Sequence, residues 1–472
     1  MSLPDGAVLR LNRHTHVVDD GAVLVGGVPS RIARLTVDAA GSMGDGTLTV
    51  TDGAARALAE YLLRTGLADP DPGSLPAGDL EDVTVVVPAY RRHRQMDRLL
   101  TSVRSTLGPV RVIVVDDGSD NGSDDGTARV ARAAAAHGAE LVALPENRGP
   151  ADARNAGLAA VATPYVLFVD TDVVLRPGSV TTLLRHLADP GLAAVAPRVA
   201  GMALPGENWV LRYERARSSL DHGSDASLVR PFSPMAWVST TCLLARTAAL
   251  GDGFGAGMRV AEDVDLVWRL VDEGWRVRYE PRAVVEHEHR DTVRSWLARK
   301  FTYGTGAATL AARHPGLVAP AVLSPWAAAV LVALAAQRRW SVPVAVVVTA
   351  MTTARIAHRV RGVHRPSLLA ARLTGYGLAS AVAQGFALAV RHWWPATVAA
   401  ALVSRRARRL LAVAGLADAA WEYLRLRPDL DPARFALARR LDDLAYGAGV
   451  WWSAWRARSP KALLPAVVRR RD

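Results

Sequence analysis

The 472-residue sequence contains a single cysteine, Cys242, which excludes an intramolecular disulfide framework and a zinc site built on cysteine pairs. Acidic residues are missing over a long stretch, since no Asp or Glu occurs between Thr292 and Ala417. Lysine is also scarce: Lys300 and Lys461 are the two lysines, and arginine supplies the remaining positive charge. These absences exclude a disulfide-stapled domain and indicate that the C-terminal third differs in chemistry from the rest.

The positive charge is concentrated in that C-terminal third. Residues 291–472 contain 27 Lys and Arg against 8 Asp and Glu, whereas residues 1–290 contain 30 against 37. Proteins that coat nucleic acid carry basic patches on their folded domains, so the acidic balance of the first 290 residues argues against that class. Half of all residues are hydrophobic, which is ample for a large core and excludes wholesale disorder.

The N-terminal segment predicts a small module, residues 1–68, followed by a Pro-, Gly- and Asp-rich linker, residues 69–82. Asp19-Asp20-Gly21 is a hairpin signal between two apolar runs, and Thr51-Asp52 can cap a helix. This hairpin-plus-helix pattern favours a winged-helix-like module. Residues 1–20 are polar and lack the apolar stretch of a secretory signal, so we expect the downstream catalytic residues to face the cytoplasm.

Residues 83–290 alternate short apolar runs with helical stretches, as is typical of an α/β domain. The strand-like runs are Val83–Val87, Val110–Val115, Glu140–Leu144 and Tyr165–Val169. Such a rhythm predicts a Rossmann-like, mostly parallel sheet with helices on both faces.

Residues 291–472 contain four uncharged runs separated by arginine clusters: Leu317–Gln337, Trp340–Ala354, Leu373–Val390 and Trp393–Ser404. The first and third are long enough to cross a membrane, whereas the second and fourth are short. We expect an α-helical, membrane-associated region whose arginines meet anionic lipid head groups. Buried helices of a soluble domain are the alternative.

Two motifs follow the first strands of the predicted sheet, where ligands bind in open α/β domains. One strand ends at Pro88, and the next delivers Asp116 and Asp117 before a glycine turn. A carboxylate there can accept the imide N–H of uracil. The alternative is a solvated turn that caps the following helix.

Two further motifs suit a diphosphate and its cation. Arg154 lies about one turn into a helix that begins near Pro150, where it can contact a diphosphate or lie on the surface. Asp170-Thr-Asp172 follows a buried strand, and its two carboxylates are costly to bring together without a hard divalent ion. A simple helix cap is the alternative for these acids.

The last two motifs offer a base and an imidazole. Asp263 and Asp265 flank a helix start, where one carboxylate can act as general base or both can merely favour the helix dipole. His287 and His289 occupy positions i and i+2 of a predicted strand, so their side chains point to the same face. One imidazole can complete a metal shell, and surface or core histidines are the alternative.

In order and spacing, these motifs resemble those of the family 2 inverting glycosyltransferases of the GT-A fold, over roughly residues 82–290. The resemblance implies a pocket for the donor nucleotide. By this resemblance Pro88, Ala89 and Tyr90 contact the nucleoside, and Asp116 or Asp117 reads the base. Arg154 supports the diphosphate, and Asp170 contacts the ribose.

The same resemblance implies the catalytic and metal-binding residues. Asp263 is the implied base with Glu262 beside it, and Asp172 with His287 is implied to bind Mn²⁺ or Mg²⁺. Trp237 and Trp268 can offer aromatic platforms to a sugar or acceptor ring, although either can simply be core. Gln337-Arg-Arg-Trp340 is one residue short of the motif of processive synthases, which argues against a long-polymer synthase.

The layout of the whole chain resembles a branch of this family that acts in mycofactocin biosynthesis in actinobacteria. This implies transfer of glucose from UDP-glucose to a peptide-derived redox cofactor precursor, building a short β-1,4-linked chain. The N-terminal module resembles small peptide-recognition proteins. The alternatives are a transferase for a lipid or cell-wall glycan, of rhamnosyl or galactofuranosyl type, and a winged-helix DNA-binding regulator with an inactive transferase domain. We expect a UDP-sugar, a peptide-derived acceptor and anionic lipids as partners, and no nucleic acid.

Overall fold

The computed structural model describes residues 3–19, 21–120 and 126–468, and the chain divides there into two compact units. The first unit comprises Met1–Ala203 and Ser218–His289, and the second comprises Leu204–Arg217 and Arg290–Asp472. The predicted change of character near residue 290 coincides with this division. The segment Leu204–Arg217, which the sequence pattern assigned to the α/β domain, belongs to the second unit.

The N-terminal module consists of two small antiparallel sheets and a helix of more than three turns. Its elements are β1 (Val8–Leu11), β2 (His16–Val18), β3 (Val23–Gly26), β4 (Arg31–Arg34), α1 (Val37–Gly41), β5 (Thr47–Thr49), α2 (Gly53–Thr65) and β6 (Ala68–Pro70). Strand β1 lies between β5 and β6, and β3 lies between β2 and β4. The Asp52 side chain accepts a hydrogen bond from Ala55 N and caps α2, as its position predicts.

The predicted hairpin is present as β2 and β3, although Asp20 of its turn signal lies outside the described residues. The winged-helix expectation is not confirmed. A winged helix is built around two packed helices joined by a turn, whereas α2 is the one helix longer than two turns among the described residues of this module. Its apolar face packs on the β1 sheet through Leu62 and Leu63 instead.

Nine strands form one mixed sheet within residues 83–120 and 126–289, in the order β11-β15-β12-β14-β10-β7-β8-β9 with β13 paired to β15. They are β7 (Val83–Ala89), β8 (Arg111–Asp116), β9 (Glu140–Ala143), β10 (Tyr165–Val169), β11 (Val173–Leu175), β12 (Leu192–Gly201), β13 (Ser227–Leu228), β14 (Cys242–Arg246) and β15 (Arg276–His287). The helices that accompany this sheet are α3 (His93–Leu107), α4 (Gly126–Ala136), α5 (Pro150–Ala159), α6 (Ser179–His186) and α8 (Glu262–Asp272).

The predicted α/β fold is confirmed, and the valine runs are its core. Strand β7 pairs in parallel with β10 on one side and with β8 on the other, so it is an interior strand of the sheet, and its valines are buried. Strands β11, β13 and β14 run antiparallel to their neighbours, which the sequence pattern did not predict. The carboxyl ends of β7, β8, β10, β12 and β15 meet at one edge of the sheet, where the acidic motifs follow.

Two arginines of β15 bind the segment that was predicted to be a linker, residues 69–82. Buried Arg278 donates to Asp69 Oδ1 at 2.6 Å, and Arg282 donates to Asp71 Oδ1 at 3.0 Å. These ion pairs hold the start of this segment against the sheet. The N-terminal module therefore packs on the strand whose far end carries His287.

Up to residue 468, where its description ends, the second unit is helical, with one two-stranded parallel pairing of β16 (Val322–Leu323) and β17 (Ala466–Val467). Its helices are α7 (Trp209–Arg217), α9 (Val293–Arg313), α10 (Pro325–Ala336), α11 (Ser341–Arg359), α12 (Pro366–Ala387), a π-helical turn (Leu388–His392), α13 (Trp394–Val403), α14 (Arg405–Leu426) and α15 (Pro432–Arg456). Tyr213, Trp296 and Phe435 form an aromatic core where α7, α9 and α15 meet.

Among the described residues, two helices are long and apolar enough to cross a membrane, Ser341–Arg359 and Pro366–His392. Length and composition alone give only a weak hint of membrane association. The expected first span is not formed, because the helical part of Leu317–Gln337 is the 12-residue α10, which Pro325 begins. The second run, expected to be short, lies in the 19-residue α11.

We expect Asp69→Ala to lower the free energy of unfolding by roughly 3 kcal/mol, because it leaves the Arg278 guanidinium buried without its carboxylate. Asp225→Ala is the matched control, since Asp225 pairs with the well exposed Arg13 and its loss should cost less than about 1 kcal/mol. Denaturant unfolding of the full chain followed by circular dichroism measures both. Equal effects of the two substitutions would contradict a docked module.

Candidate active site

Arg154 joins two of the acidic motifs at the carboxyl edge of the sheet. Its side chain is only 3% exposed. Nη2 donates to Asp170 Oδ1 at 2.6 Å, and Nη1 donates to Glu262 Oε1 at 2.8 Å. A buried guanidinium shared by two carboxylates has a rigid position, because both partners are charged and fork geometry fixes the plane. The arginine therefore holds the end of β10 and the start of α8 together.

The local backbone explains why these three side chains converge. Gly149, with a φ of 97°, turns the chain into α5, where Pro150 occupies the first turn and Arg154 faces inward. Asp170 comes directly after β10. Glu262 is the first residue of α8, so its carboxylate lies at the positive end of the helix dipole. The sequence expectation that Arg154 supports the diphosphate stays a prediction, since two of its nitrogens contact carboxylates here.

Asp263 has the properties of a general base. The side chain is half-buried, and Oδ1 accepts from the backbone N–H of Val264 at 2.8 Å. Burial and the adjacent Glu262 carboxylate raise the pKa of Asp263 to about 7, although Arg154 opposes this rise. A carboxylate that titrates near neutral pH can accept a proton and release it again. Asp265, two residues further on, is almost completely buried.

Asp172 and His287 form the second functional pair. Strands β11 and β15 are antiparallel with Val173 opposite His287, which brings His287 Nε2 within 3.4 Å of Asp172 Oδ1. Arg92 also pairs with Asp172. Burial by itself raises the pKa of Asp172, but His287 and Arg92 outweigh burial and hold this pKa well below its usual range. The carboxylate is therefore ionised, which is the form in which it can bind a cation.

A second imidazole orients the first. His287 Nδ1 lies 3.3 Å from His289 Nδ1, so one of the two rings donates to the other. Burial lowers the pKa of His287, and Asp172 more than offsets this effect and raises it. Hydrogen bonding of the distal ring nitrogen is the usual way in which a ligating histidine is oriented.

The donor set fits a hard divalent ion that arrives with a diphosphate. Two neighbouring ligands of an octahedral ion with bonds of about 2.1 Å lie about 3 Å apart, close to the 3.4 Å between Asp172 Oδ1 and His287 Nε2. No group of three or more candidate ligands occurs in the described part of the chain. Mg²⁺ commonly takes one or two carboxylates and completes its shell with water and substrate phosphates, so two protein ligands are sufficient for such a site.

The two aspartates of the second motif hold loops. Asp116 is fully buried and accepts from the hydroxyls of Ser119 and Thr127. Asp117 accepts from the backbone N–H groups of Arg148 at 2.7 Å and Gly149 at 2.9 Å, and burial raises its pKa. Both carboxylates therefore fix the loops that surround the sheet edge.

Gly118 explains why a glycine follows those aspartates. Its φ is 64°, and a Cβ at this position would lie 2.4 Å from the carbonyl carbon of Glu146. A side chain is excluded by both conditions. The two loops of the predicted nucleotide site are thus in close backbone contact.

Tyr90 supplies an exposed aromatic ring at the same edge. It is 41% exposed, and the Arg91 guanidinium lies 5.1 Å from its ring centroid. Pro88 is partly exposed beside it, whereas Ala89 is buried. The sequence pattern did not identify Arg92 as a partner of Asp172, although it follows directly in the run Arg91-Arg92-His93-Arg94. The pairing of Arg92 with Asp172 depends on β11, a strand that no motif predicted.

The two tryptophans predicted as platforms differ in exposure. Trp268 is buried and donates from Nε1 to the carbonyl of Ala236 at 2.8 Å, so it is part of the core. Trp237 is half-buried, with its ring centroid 5.1 Å from that of His222 in an edge-to-face arrangement. Of the two, Trp237 retains an accessible surface.

Comparison with known proteins identifies relatives of the whole chain. Residues 84–233 match the family model described as Glycosyl transferase family 2, and residues 165–403 match that of Glycosyl transferase family group 2. Two pre-mycofactocin glycosyltransferases of Mycobacterium tuberculosis, from strains CDC 1551 / Oshkosh and ATCC 25618 / H37Rv, are each 40% identical over 477 residues, which is 98% of both chains.

More distant similarities cover parts of the chain. The poly-beta-1,6-N-acetyl-D-glucosamine synthase of Staphylococcus aureus (strain COL) is 24% identical over 211 residues, 44% of this chain and 50% of that protein. Among solved structures, the mannosyltransferase PcManGT from Pyrobaculum calidifontis, in complex with GDP-Man and Mn²⁺, has a TM-score of 0.44 and 21% identity. That alignment covers 81% of this chain and 89% of the mannosyltransferase.

We expect Arg154→Gln to destabilise the fold by roughly 3 kcal/mol, because it leaves Asp170 and Glu262 as facing carboxylates without their cation. Arg148→Gln is the control: Arg148 is well exposed and lies 3.7 Å from Asp152, so its loss should cost less than about 1 kcal/mol. Thermal unfolding of the two variants gives the comparison. A normal melting temperature for Arg154→Gln would show that the bridge does not hold β10 and α8 together.

Proposed function

The chain belongs to glycosyl transferase family 2, the family of the pre-mycofactocin glycosyltransferases, and we propose that it transfers glucose from UDP-glucose to the peptide-derived precursor of mycofactocin. The reaction inverts the anomeric carbon, and successive transfers build a short β-1,4-linked glucose chain. The 40% identity over 98% of both chains supports the pathway. The donor and the linkage rest on the resemblance in the layout of the whole chain and are part of this proposal.

The observation that carries this proposal is the arrangement around Arg154. At one end of this bridge, Glu262 directly precedes Asp263, a base candidate with a raised pKa. At the other end, Asp170 lies two residues before Asp172, which forms with His287 a candidate site for a cation and its diphosphate. A base and a cation site at one sheet edge suit displacement of a nucleoside diphosphate by a hydroxyl.

Asp263 acts on the acceptor. Its carboxylate takes the proton of the acceptor hydroxyl as that oxygen forms a bond to the anomeric carbon. The bond between this carbon and the diphosphate oxygen breaks in the same step, and UDP leaves with the electron pair. A single in-line displacement of this kind inverts the anomeric carbon and needs no covalent enzyme intermediate. Glu262, held by Arg154, keeps the pKa of Asp263 high enough for this role.

Asp172 and His287 would hold Mn²⁺ or Mg²⁺, with His289 orienting the imidazole. When bound, such an ion stabilises the negative charge that develops on the leaving diphosphate. Arg92, which pairs with Asp172, supplies a further positive charge beside the same carboxylate.

The donor nucleotide lies against the loops that follow β7 and β8. Tyr90 offers its exposed ring to the nucleoside, with Pro88 and Ala89 forming the adjacent wall. Asp117, rather than the fully buried Asp116, reads the uracil imide, since each of its oxygens accepts one backbone N–H and keeps a second lone pair. The ribose lies near Asp170.

The enzyme acts at the cell membrane with its catalytic unit on the cytoplasmic side. Helices α11 and α12 are apolar and largely unburied within the second unit. The acid-free segment between Thr292 and Ala417 carries the arginines that favour anionic head groups. A peptide-derived acceptor in the cytoplasm then reaches the catalytic edge without crossing the bilayer.

The direct test supplies the full-length protein with UDP-glucose, other nucleotide sugars and the peptide-derived acceptor, and identifies products by mass spectrometry. We expect hexose additions with UDP-glucose. Asp263→Asn should bind UDP-sugar but give no product, whereas Asp272→Asn, at the exposed end of the same helix, should remain active. Transfer from a rhamnosyl or galactofuranosyl donor alone would replace this function with the lipid or cell-wall alternative.

The pH dependence of kcat/KM should report the protonation of Asp263. Below a pH of about 7 the carboxyl holds a proton and cannot accept another, so kcat/KM should rise roughly tenfold per pH unit and level off above 7. Saturating Mn²⁺ removes the separate competition of protons for His287. A profile already at its plateau near pH 5.5 would contradict the assignment of Asp263 as base.

Asp172→Ala should abolish the dependence of donor binding on the divalent ion, because it removes the carboxylate ligand and leaves His287 alone. Calorimetric titration of UDP-glucose with and without Mn²⁺ measures this difference directly. Glu286→Gln is the control on the same strand pair, since Glu286 binds Arg176. Metal-dependent binding that survives Asp172→Ala would place the cation elsewhere.

A further inference from the structure

Helix α14 has its polar and apolar faces reversed relative to a helix of a soluble protein. Val413, Leu416, Trp421 and Leu424 project outward, and Leu416 and Trp421 are 72% and 67% exposed. At 100° per residue these four side chains fall within an arc of about 140°. They form one continuous apolar stripe, which we call the α14 stripe.

The acidic residues of α14 face the interior. Asp418 binds Arg439 at 3.1 Å and also pairs with Arg440, and Glu422 binds Arg217 at 3.0 Å. On the helical wheel both acids lie roughly opposite the α14 stripe. A helix of a soluble protein buries its apolar face and exposes its charges. The reversed arrangement of α14 indicates that its exposed face contacts something other than water.

Arginine occupies both ends of the α14 stripe. Arg405, Arg406, Arg408 and Arg409 are exposed in the first turns. Arg427 and Arg425 are exposed at the end, where Arg425 also binds Glu422 at 2.9 Å. Arg406 and Arg409 lie on the same side of the helix as the stripe by the 100° rule. A large apolar patch rimmed by cations is the pattern of a helix that lies in a membrane interface.

We propose that α14 lies flat on the cytoplasmic leaflet, with the α14 stripe in the acyl boundary and its arginines on anionic head groups. This rests on the membrane association proposed above and adds a surface to it, since α14 is too charged to cross the bilayer. A second copy of the chain is a poorer occupant. Packed on this face, it would place arginines against arginines in either helix orientation, whereas anionic lipids neutralise both ends.

The sequence offers a suitable background for the test, because its single cysteine, Cys242, is fully buried. Leu416→Cys in the full chain is labelled with a polarity-sensitive fluorophore, and the protein is reconstituted into phosphatidylcholine vesicles with or without phosphatidylglycerol. Iodide quenches probes in water, and lipids brominated on the acyl chain quench probes in the bilayer. Val37→Cys, which replaces a highly exposed side chain of the N-terminal module, is the control position.

In phosphatidylglycerol vesicles we expect the probe at 416 to be protected from iodide and quenched by brominated lipid, and the probe at 37 to behave oppositely. A vesicle-bound protein whose probe at 416 stays open to iodide would overturn the proposal. Protection from both quenchers would mean that a second copy covers α14, which also overturns it. Failure of the protein to float with vesicles would refute membrane association itself. Sugar transfer is measured on the same labelled sample, so that the catalytic proposal is tested independently of the position of α14 and of membrane association.

The arginines are tested with Arg406→Gln and Arg409→Gln combined in the Leu416→Cys protein. We expect the equilibrium between lipid-embedded and water-exposed α14 to fall about fivefold per arginine, seen as weaker quenching by brominated lipid. Arg31→Gln combined with Arg34→Gln removes the same charge from the N-terminal module and should leave quenching at 416 unchanged. Unchanged quenching in the α14 variant would overturn the role of anionic head groups.

Discussion

The ionic bridge from Arg154 to Asp170 and Glu262 is the contact on which the catalytic edge depends. Without the guanidinium, the turns after β10 and before α8 would bring carboxylates together, and their repulsion would separate the two elements. Burial and the neighbouring Glu262 carboxylate raise the pKa of Asp263, and Arg154 opposes this rise. Glu262 therefore takes part both in the ionic bridge and in the basicity of Asp263.

Strand β15 connects this edge to the N-terminal module. Arg278 and Arg282 of this strand bind Asp69 and Asp71, which directly follow the module, and its last residue is His287, opposite Val173 of β11. The register of β15 with β12 shifts between Glu280 and Val284, so the strand is irregular there, and the pairing with β11 sets the position of His287. The contacts to the module and the proposed metal ligand His287 therefore lie on one strand.

Patterns that depend on local spacing could be predicted from the sequence, and long-range pairings could not. The valine runs predicted the buried strands, and the order of the acidic motifs predicted one sheet edge, because parallel strands deliver their carboxyl ends to the same side. The bridge of Arg154 to Glu262 joins positions 108 residues apart, so no spacing rule indicates it. The antiparallel strand β11, which carries Asp172 to His287, is three residues long and leaves no periodic signal.

The charge imbalance of the C-terminal third follows from where its acids lie. Half of the eight Asp and Glu after residue 290 are enclosed in ion pairs: Asp418, Glu422, Asp442 and Asp443 bind Arg391, Arg439, Arg440, Lys300 and Arg217. Because these acids mostly pair with internal cations, the exposed arginines of the first turns of α14 are left without an acidic partner on their own helix, whereas Arg425 at its end binds Glu422. A buried network of this kind is costly to desolvate and is often dispensable for stability. Its consequence here is a surface on which a continuous apolar stripe has arginines at both ends, which is the composition that an anionic lipid leaflet accepts.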